Sequence, residues 1–330
     1  MNITHRFHPR QVTDWLQSVL PAAQSQLTQQ SRAQLTADSR RITAGDVFLA
    51  YPSEAGDGRQ YIAQAIKAGA RAVLYDACGG YEWDAQCDVP HLAVAELRQA
   101  SGLIAHEWYE QPDQGMFAVA VTGTNGKTSC TQWLGQALSR NDLPTTVIGT
   151  LGVGLFQNGQ VNHFEETGYT TPDAVQLQRH LATQKQLGAC AYAIEASSIG
   201  LHQGRMNGLH VDVAVFTNLT RDHLDYHGNM EAYEAAKARL FDWPDIKHAV
   251  INLDDPISPR LLAQVRARKP EVTIFAYTIG EAVEIEGVAV LRASEMRNSP
   301  LGTIFQMTTP LGIAQVRAQL IGRFNISNLF

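Results

Sequence analysis

The residues with the most chemical content lie between Phe117 and Ser129, FAVAVTGTNGKTS. Gly123-Thr124-Asn125-Gly126-Lys127-Thr128 forms a glycine-rich turn that ends in Gly-Lys-Thr. It joins a β-prone apolar run to a segment with helical spacing, in which Trp133, Leu134 and Leu138 are apolar. Such a turn presents backbone N–H groups and a helix N-terminus to an anion. The lysine adds a positive charge, and the threonine hydroxyl can ligate Mg2+. The expected chemistry is therefore that of a nucleoside triphosphate. The common phosphate-loop pattern carries an additional glycine where this chain has Val121, so the loop is a shortened version. A plain strand-to-helix turn with a solvated lysine is the competing reading.

Three more polar residues sit where they could serve that loop. Glu195 ends the apolar run ACAYAIE and precedes Ser197-Ser198. A carboxylate there could hold Mg2+, or cap the following helix. His223 follows another apolar run, in TNLTRDH. It could be a metal ligand, although Mg2+ prefers oxygen, or an ordinary structural histidine. Lys237 lies in EAYEAAKARLF, where Tyr233, Ala236, Lys237 and Leu240 follow i, i+3, i+4, i+7 spacing. That places Lys237 on the apolar stripe, away from Glu231, Glu234 and Ala238. A lysine buried there must be paired, lose its proton or be modified. Alternatively its stem lies along the stripe and its ammonium reaches water.

The elements that must position these groups alternate between strand and helix. Strands are expected at 46–50 and 70–75 around a helix at 61–68, with a loop at 81–90 and a helix at 97–109. The polar stretch Glu110 to Gly115 (EQPDQG) reads as a linker. Beyond it, strands are expected at 117–122, 145–150, 189–195, 211–216, 248–252 and 272–277, mostly separated by helices. This pattern is α/β, with a doubly wound parallel sheet in the central part. Ligands of such sheets lie beyond the carboxyl ends of the strands, where Gly123–Thr128, Thr170-Thr171, Glu195–Ser198 and Asn218–His223 fall. From 284 onward VEIEGVAVL, GTIFQMTT and GIAQVRAQL indicate a β extension. The reading gives an N-terminal domain over 1–112 and a central domain over 113–330.

Composition narrows the partners. Net charge is −6 with no basic block, which argues against nucleic acid or an anionic membrane surface. No apolar run approaches the ~20 residues needed to span a bilayer, and MNITHRFHPRQ has no apolar signal-peptide region. Cys78, Cys87, Cys130 and Cys190 are scattered without a CxxC pair, so neither a zinc site nor a disulfide framework is expected. A cytoplasmic, monomeric protein follows as the expectation.

Taken in order, TGTNGKTS, EASSIGLHQGR, FTNLTRDHLDYHG, YEAAKARLF, INLDD and GRFNISN resemble the motifs of the Mur ligases, most closely the MurE type. The resemblance begins near Leu35 (LTADSR, AGDVFLA, GDGRQYIAQAI) and runs to the end of the chain. It implies an N-terminal UDP-binding α/β domain and an ATP-binding central domain. The implied activity is ATP-dependent addition of the third amino acid, taken to be meso-diaminopimelate, to UDP-MurNAc-L-Ala-D-Glu through an acyl phosphate. It places ATP on Gly123–Thr128, with Lys127 on the phosphates, and Asn252 and Asn325 along the adenine. It places Mg2+ near Thr128, Glu195, His223 and Lys237, with Lys237 carbamylated by CO2. Thr170, Thr171, Ser197, Gln203 and Arg205 match residues that hold the UDP-muramoyl-dipeptide; Ser39, Ala55 and Gly56 match its uridine end. Many relatives have Asn where this chain has Tyr169. Relatives continue into a third domain that binds the amino-acid acceptor. Without it, the chain is expected to bind nucleotide with little ligation. A MurF-type or folylpolyglutamate ligase and a non-catalytic nucleotide- or precursor-binding module are the alternatives.

Overall fold

The computed structural model describes residues 2–3 (backbone only), 8–20, 33–54, 56–281 and 283–330. Ala55 lies outside the described residues. The chain divides into two compact units. One comprises 1–114 together with 172–187 and 203–209; the other comprises 115–171, 188–202 and 210–330.

The first unit is built on a five-stranded parallel sheet in the order 2–3, 91–94, 72–76, 47–50, 35–36. Strands Val47–Ala50 and Ala72–Asp76 are buried along their whole length. This explains why they read as continuous apolar runs and not as alternating patterns. Helices Pro9–Val19 and Ala174–Gln186 pack against Leu97–Trp108. Gly102 lets the segment around Asn207 approach closely, since a Cβ at that position would lie 1.9 Å from the Asn207 carbonyl oxygen.

The second unit carries an eleven-stranded sheet in the order 160–161, 152–157, 145–149, 191–195, 117–122, 213–216, 248–252, 273–278, 289–299, 302–309, 312–318. From 145–149 through 289–299 all neighbours are parallel. The expected β extension is therefore a continuation of the same sheet, and its last two strands are antiparallel. At the opposite edge the antiparallel hairpin Gly152–Gln157 and Gln160–Val161 was not anticipated. Its turn is Asn158-Gly159, both with positive φ (52° and 77°), a strong hairpin signal.

Two helix faces differ from expectation. Helix Lys127–Arg140 buries Cys130, Thr131, Gly135 and Ser139, while Trp133, Leu134 and Leu138 are only half-buried. The helix lies too close to the sheet for large side chains: a Cβ on Gly135 would sit 2.5 Å from Val147 Cγ2. Helix Met230–Ala238 buries Tyr233, Ala236 and Lys237 as the spacing requires. On its other side Glu234 and Ala238 are half-buried, and Glu234 pairs with Arg260 at 2.7 Å. Among the described residues, no helix is long and apolar enough to cross a membrane.

Asp212 ties together the amino ends of three central strands. Its carboxylate accepts from Ala118 N at 2.9 Å and from Lys247 Nζ at 2.7 Å, and it lies 3.0 Å from His210 Nε2. Its backbone carbonyl accepts from Lys247 N and His248 N. Burial alone would raise its pKa, but hydrogen bonds from Lys247, Ala118 and His210 outweigh it and hold the carboxyl below its ordinary value. A group depressed in the folded state stabilises above its unfolded pKa, and that contribution is lost as pH falls through the folded value. Asp212→Asn is expected to cost about 1–3 kcal/mol at neutral pH, the price of disrupted buried hydrogen bonds. The gap from the parent should narrow in acid, as urea melts at pH 7 and below pH 4 would reveal; equal gaps at both would refute the assignment.

Candidate nucleotide site

Strand Phe117–Thr122 delivers the chain into the loop, and helix Lys127–Arg140 leaves it. Two glycines permit the turn. Gly123 has φ of +148°, and a Cβ there would lie 1.9 Å from Thr217 Oγ1. Gly126 caps the helix with φ of +89°. The loop is laced to the segment that follows strand Val213–Phe216. Thr124 N donates to Asn218 O at 2.8 Å, and Asn125 N to Asn218 Oδ1 at 3.0 Å. Asn125 O accepts from Thr217 Oγ1 at 2.6 Å and Asn218 Nδ2 at 2.9 Å. Thr124 Oγ1 donates to Thr220 O and accepts from Thr220 N. Lys127 folds back, donating to Gly123 O and Thr124 O at 2.9 Å each.

Glu195 stands at the helix side of the loop and is 1% exposed. Thr128 Oγ1 and Thr150 N each donate to its Oε1 at 2.9 Å, and Thr150 Oγ1 reaches Oε2 at 3.3 Å. Space for the carboxylate exists because Gly149 has no side chain: a Cβ there would lie 2.1 Å from Oε1. Glu195 therefore faces the loop and does not cap helix Ser198–His202. The carboxylate and the Thr128 hydroxyl supply the all-oxygen donors that Mg2+ prefers, so the residues present fit that ion. Thr150 was not anticipated; its place at the carboxyl end of a parallel strand was the available signal. Thr170 Oγ1 lies 3.2 Å from Thr150 Oγ1. Thr171 Oγ1 donates to Glu195 O and lies 2.8 Å from Ser197 Oγ, which gathers Thr170, Thr171 and Ser197 beside Glu195.

Lys237 reaches the strand side of the same loop. It is 2% exposed, and its Nζ donates to Gly123 O at 2.7 Å and lies 4.5 Å from the centre of the Tyr233 ring. The snorkelling alternative is thereby excluded. Burial, then the charge of Lys127, pulls its pKa down to about 7, with Asp222 opposing. Lys127 is also lowered, by burial, against the attraction of Glu195 and Asp222. Tyr233 OH completes this side, 3.1 Å from Thr124 Oγ1.

His223 is exposed, with φ of +49° at the start of helix Leu224–His227, and its Nε2 lies 3.6 Å from Asp222. Among the described residues, no group of three or more His, Cys, Asp or Glu side chains is placed to hold a metal ion. Glu195 contacts the loop at Thr128 and Lys237 contacts it at Gly123. His227 was missed by the sequence reading. Its Nε2 lies 3.0 Å from Ser198 Oγ, and its pKa is depressed by burial, then by His202, His223 and Lys237.

Asn252 is buried, and both ends of its amide are used internally: Nδ2 donates to Thr217 O at 2.6 Å and Oδ1 accepts from Asp254 N at 3.0 Å. Asn325 Nδ2 donates to Ile321 O. Asn328, three residues on, is the one beside the loop: a Cβ on Gly126 would lie 2.5 Å from its Oδ1, and its carbonyl accepts from Cys130 Sγ. In the first unit, Ser39 opens the short 3-10 turn Ser39–Arg41, and Gly56 (φ +133°) belongs to the hairpin Pro52–Ser53/Gly56–Asp57. Gln203 Oε1 accepts from Arg205 Nε at 2.8 Å in that unit. Tyr169 is 55% exposed.

A glycine-rich loop between a parallel strand and a helix, with a carboxylate on its threonine and a buried lysine on its first glycine, makes this an α/β protein of the phosphate-loop type. Residues 121–330 match the Mur ligase middle domain, and residues 33–109 match the Mur ligase family catalytic domain. The chain belongs to the Mur ligase family. It is 56% identical over 318 residues to a UDP-N-acetylmuramoyl-L-alanyl-D-glutamate–2,6-diaminopimelate ligase of Janthinobacterium sp. (strain Marseille), covering 96% of this chain and 60% of that protein. The enzyme of that name from Pseudomonas aeruginosa is 44% identical over 296 residues, covering 90% and 58%. A solved structure bearing the same enzyme name superposes with a TM-score of 0.73 at 32% identity, covering 90% of this chain and 57% of that one. MurF of Acinetobacter baumannii shares the fold at a TM-score of 0.63 and 22% identity, covering 96% and 62%. The chain spans about 60% of the length of the first two curated relatives.

Gly149→Ala tests the Glu195 side, because the added methyl must displace the carboxylate. Calorimetric titration with Mg2+ and ADP is expected to give a Kd raised roughly tenfold, the loss of one charge-assisted interaction. Parental affinity in a folded variant would refute the role given to Glu195.

Proposed function

We propose that this chain is the nucleotide- and precursor-binding part of an ATP-dependent amide ligase. Its reaction would add meso-diaminopimelate to UDP-MurNAc-L-Ala-D-Glu in peptidoglycan synthesis, in the cytoplasm. The carrying observation is the loop with Glu195 on Thr128 and buried Lys237 on Gly123, in a chain whose relatives are named for this reaction. The acceptor amino acid would bind to protein beyond the segment described here, and the working unit would be a monomer.

Both partners of the first step are anions: the dipeptide's terminal carboxylate and the γ-phosphate of ATP. Attack at phosphorus would give an acyl phosphate and ADP; an amine would then displace phosphate to form the amide. Lys127 would leave Gly123 O and Thr124 O and turn to the phosphate oxygens, aligning and neutralising them. Thr128 and Glu195 would hold Mg2+, which supplies charge neutralisation to the phosphates when bound. Gly126 would contribute its backbone N–H, and those of Thr124 and Asn125 would do so only on leaving Asn218 O and Oδ1; Asn252 and Asn325 would border the adenine. Thr170, Thr171 and Ser197 would hold the muramoyl-dipeptide, with Gln203 and Arg205; Ser39, Ala55 and Gly56 would serve its uridine end.

Lys237 is proposed to carry a carbamate. Burial beside a second lysine leaves a substantial neutral fraction near pH 7, and only the neutral amine reacts with CO2. The product is an anion in place of a cation, able with His223 to support a second Mg2+.

Two measurements test these assignments. In titrations of this chain, UDP-MurNAc-L-Ala-D-Glu should bind at least about tenfold more tightly than the same precursor already bearing a third residue; the opposite preference would favour a MurF-type role. In the protein extended to the length of its relatives, Lys237→Ala should lose about a hundredfold or more in kcat, a loss typical of removing a charge-placing group. Short carboxylic acids should restore part of it. Full activity in the unsupplemented variant would sink the carbamate.

A further inference from the structure

Thr150 directly follows strand Thr145–Gly149 and grips Glu195 through two atoms. Its backbone N–H donates to Oε1 at 2.9 Å and its hydroxyl to Oε2 at 3.3 Å, so one residue holds both carboxylate oxygens. The same hydroxyl lies 3.2 Å from that of Thr170. Glu195 is almost wholly covered, whereas Thr150 is exposed. A buried carboxylate is thus joined, through one exposed residue, to Thr170.

A hydroxyl carries one proton and two lone pairs, which fixes the direction of each bond. A carboxylate only accepts, and accepts more strongly than a hydroxyl, so the Thr150 proton points to Glu195. The bond between the two threonines then runs from Thr170 to Thr150. The neighbouring Thr171 has no such freedom. Its proton is spent on Glu195 O, and its oxygen accepts from Ser197 N at 3.1 Å and from Ser197 Oγ. Ser197 Oγ in turn accepts from Gly200 N at 3.0 Å. Thr171 and Ser197 form a fixed floor, and the row Thr170, Thr150, Glu195 is the part whose protons can turn.

We propose that Thr150 is a positioning residue that couples the nucleotide side of the site to the precursor side. This rests on the reading of Glu195 as serving the Mg2+-nucleotide and of Thr170 as holding the precursor. As Glu195 commits its charge to a cation, it accepts less strongly from Thr150, and the Thr150 proton turns to Thr170. The Thr170 proton is released in turn and meets the anionic end of the precursor. Each ligand lowers the cost of seating the other, by the same factor in either direction.

The test is the dissociation constant of UDP-MurNAc-L-Ala-D-Glu for this chain, measured by calorimetry with and without saturating Mg2+ and a non-hydrolysable ATP analogue. The parent should bind the precursor at least about fivefold more tightly with the nucleotide present, the low end of coupling between two sites. Thr150→Val keeps the backbone N–H and the branched shape but not the hydroxyl, and should make the two affinities equal. Thr150→Ser should restore the difference. A folded Thr150→Val protein with the parental ratio overturns the proposal, as do equal affinities in the parent. Should Thr150→Val not fold, Thr170→Val, which removes the other end of the same bond, decides in the same way. A parent that binds no precursor at all overturns the reading of Thr170 itself, and the coupling with it.

Discussion

One carbonyl oxygen organises the site. Gly123 O accepts hydrogen bonds from the amines of both Lys127 and Lys237. Two ammonium groups on a single acceptor, largely out of water, repel each other strongly. The pair can persist only if one nitrogen gives up its proton or a compensating anion arrives. Burial and the neighbouring charge select Lys237 for the first course. Lys127, whose amine also donates to Thr124 O, is the one proposed to meet the second.

The rest of the site is arranged around that loop. On one side Glu195 and Thr128 present oxygens; on the other, Tyr233 and Lys237 close over Gly123 and Thr124. Between them, Thr217 and Asn218 absorb the polar backbone of the turn. Apart from Tyr233 and Lys237, which come from helix Met230–Ala238, each contact comes from the carboxyl end of a parallel strand or the segment just beyond it. This explains why residues so distant in sequence share one locus.

Much of this arrangement was legible in the sequence, for identifiable reasons. Continuous apolar runs marked buried parallel strands, and the i, i+3, i+4 spacing put Lys237 inside. Glu195 and Thr128 stood out because their types and strand-end positions suit a cation. What escaped reading depended on distances between elements. The buried face of helix Lys127–Arg140 consists of Cys130, Thr131, Gly135 and Ser139 because the helix approaches the sheet so closely, which periodicity cannot report. Thr150 and Asn328 carry no distinguishing pattern; they matter through what lies beside them. The hairpin at Asn158-Gly159 did carry a local turn signal, which the run of parallel strands obscured.

Asp212 gives the sheet the function of a ruler. Strands Val213–Phe216 and Phe117–Thr122 run in parallel with Ala214 opposite Ala120, so Thr217 arrives beside Gly123. A one-residue slip would displace Thr217 by roughly 3.3 Å and turn its side chain to the other face. Asn125 O would then lose a hydrogen-bond donor, and Gly123 the neighbour that excludes a side chain. The precision of the loop is therefore set by a carboxylate at the opposite end of the strands, remote from any nucleotide.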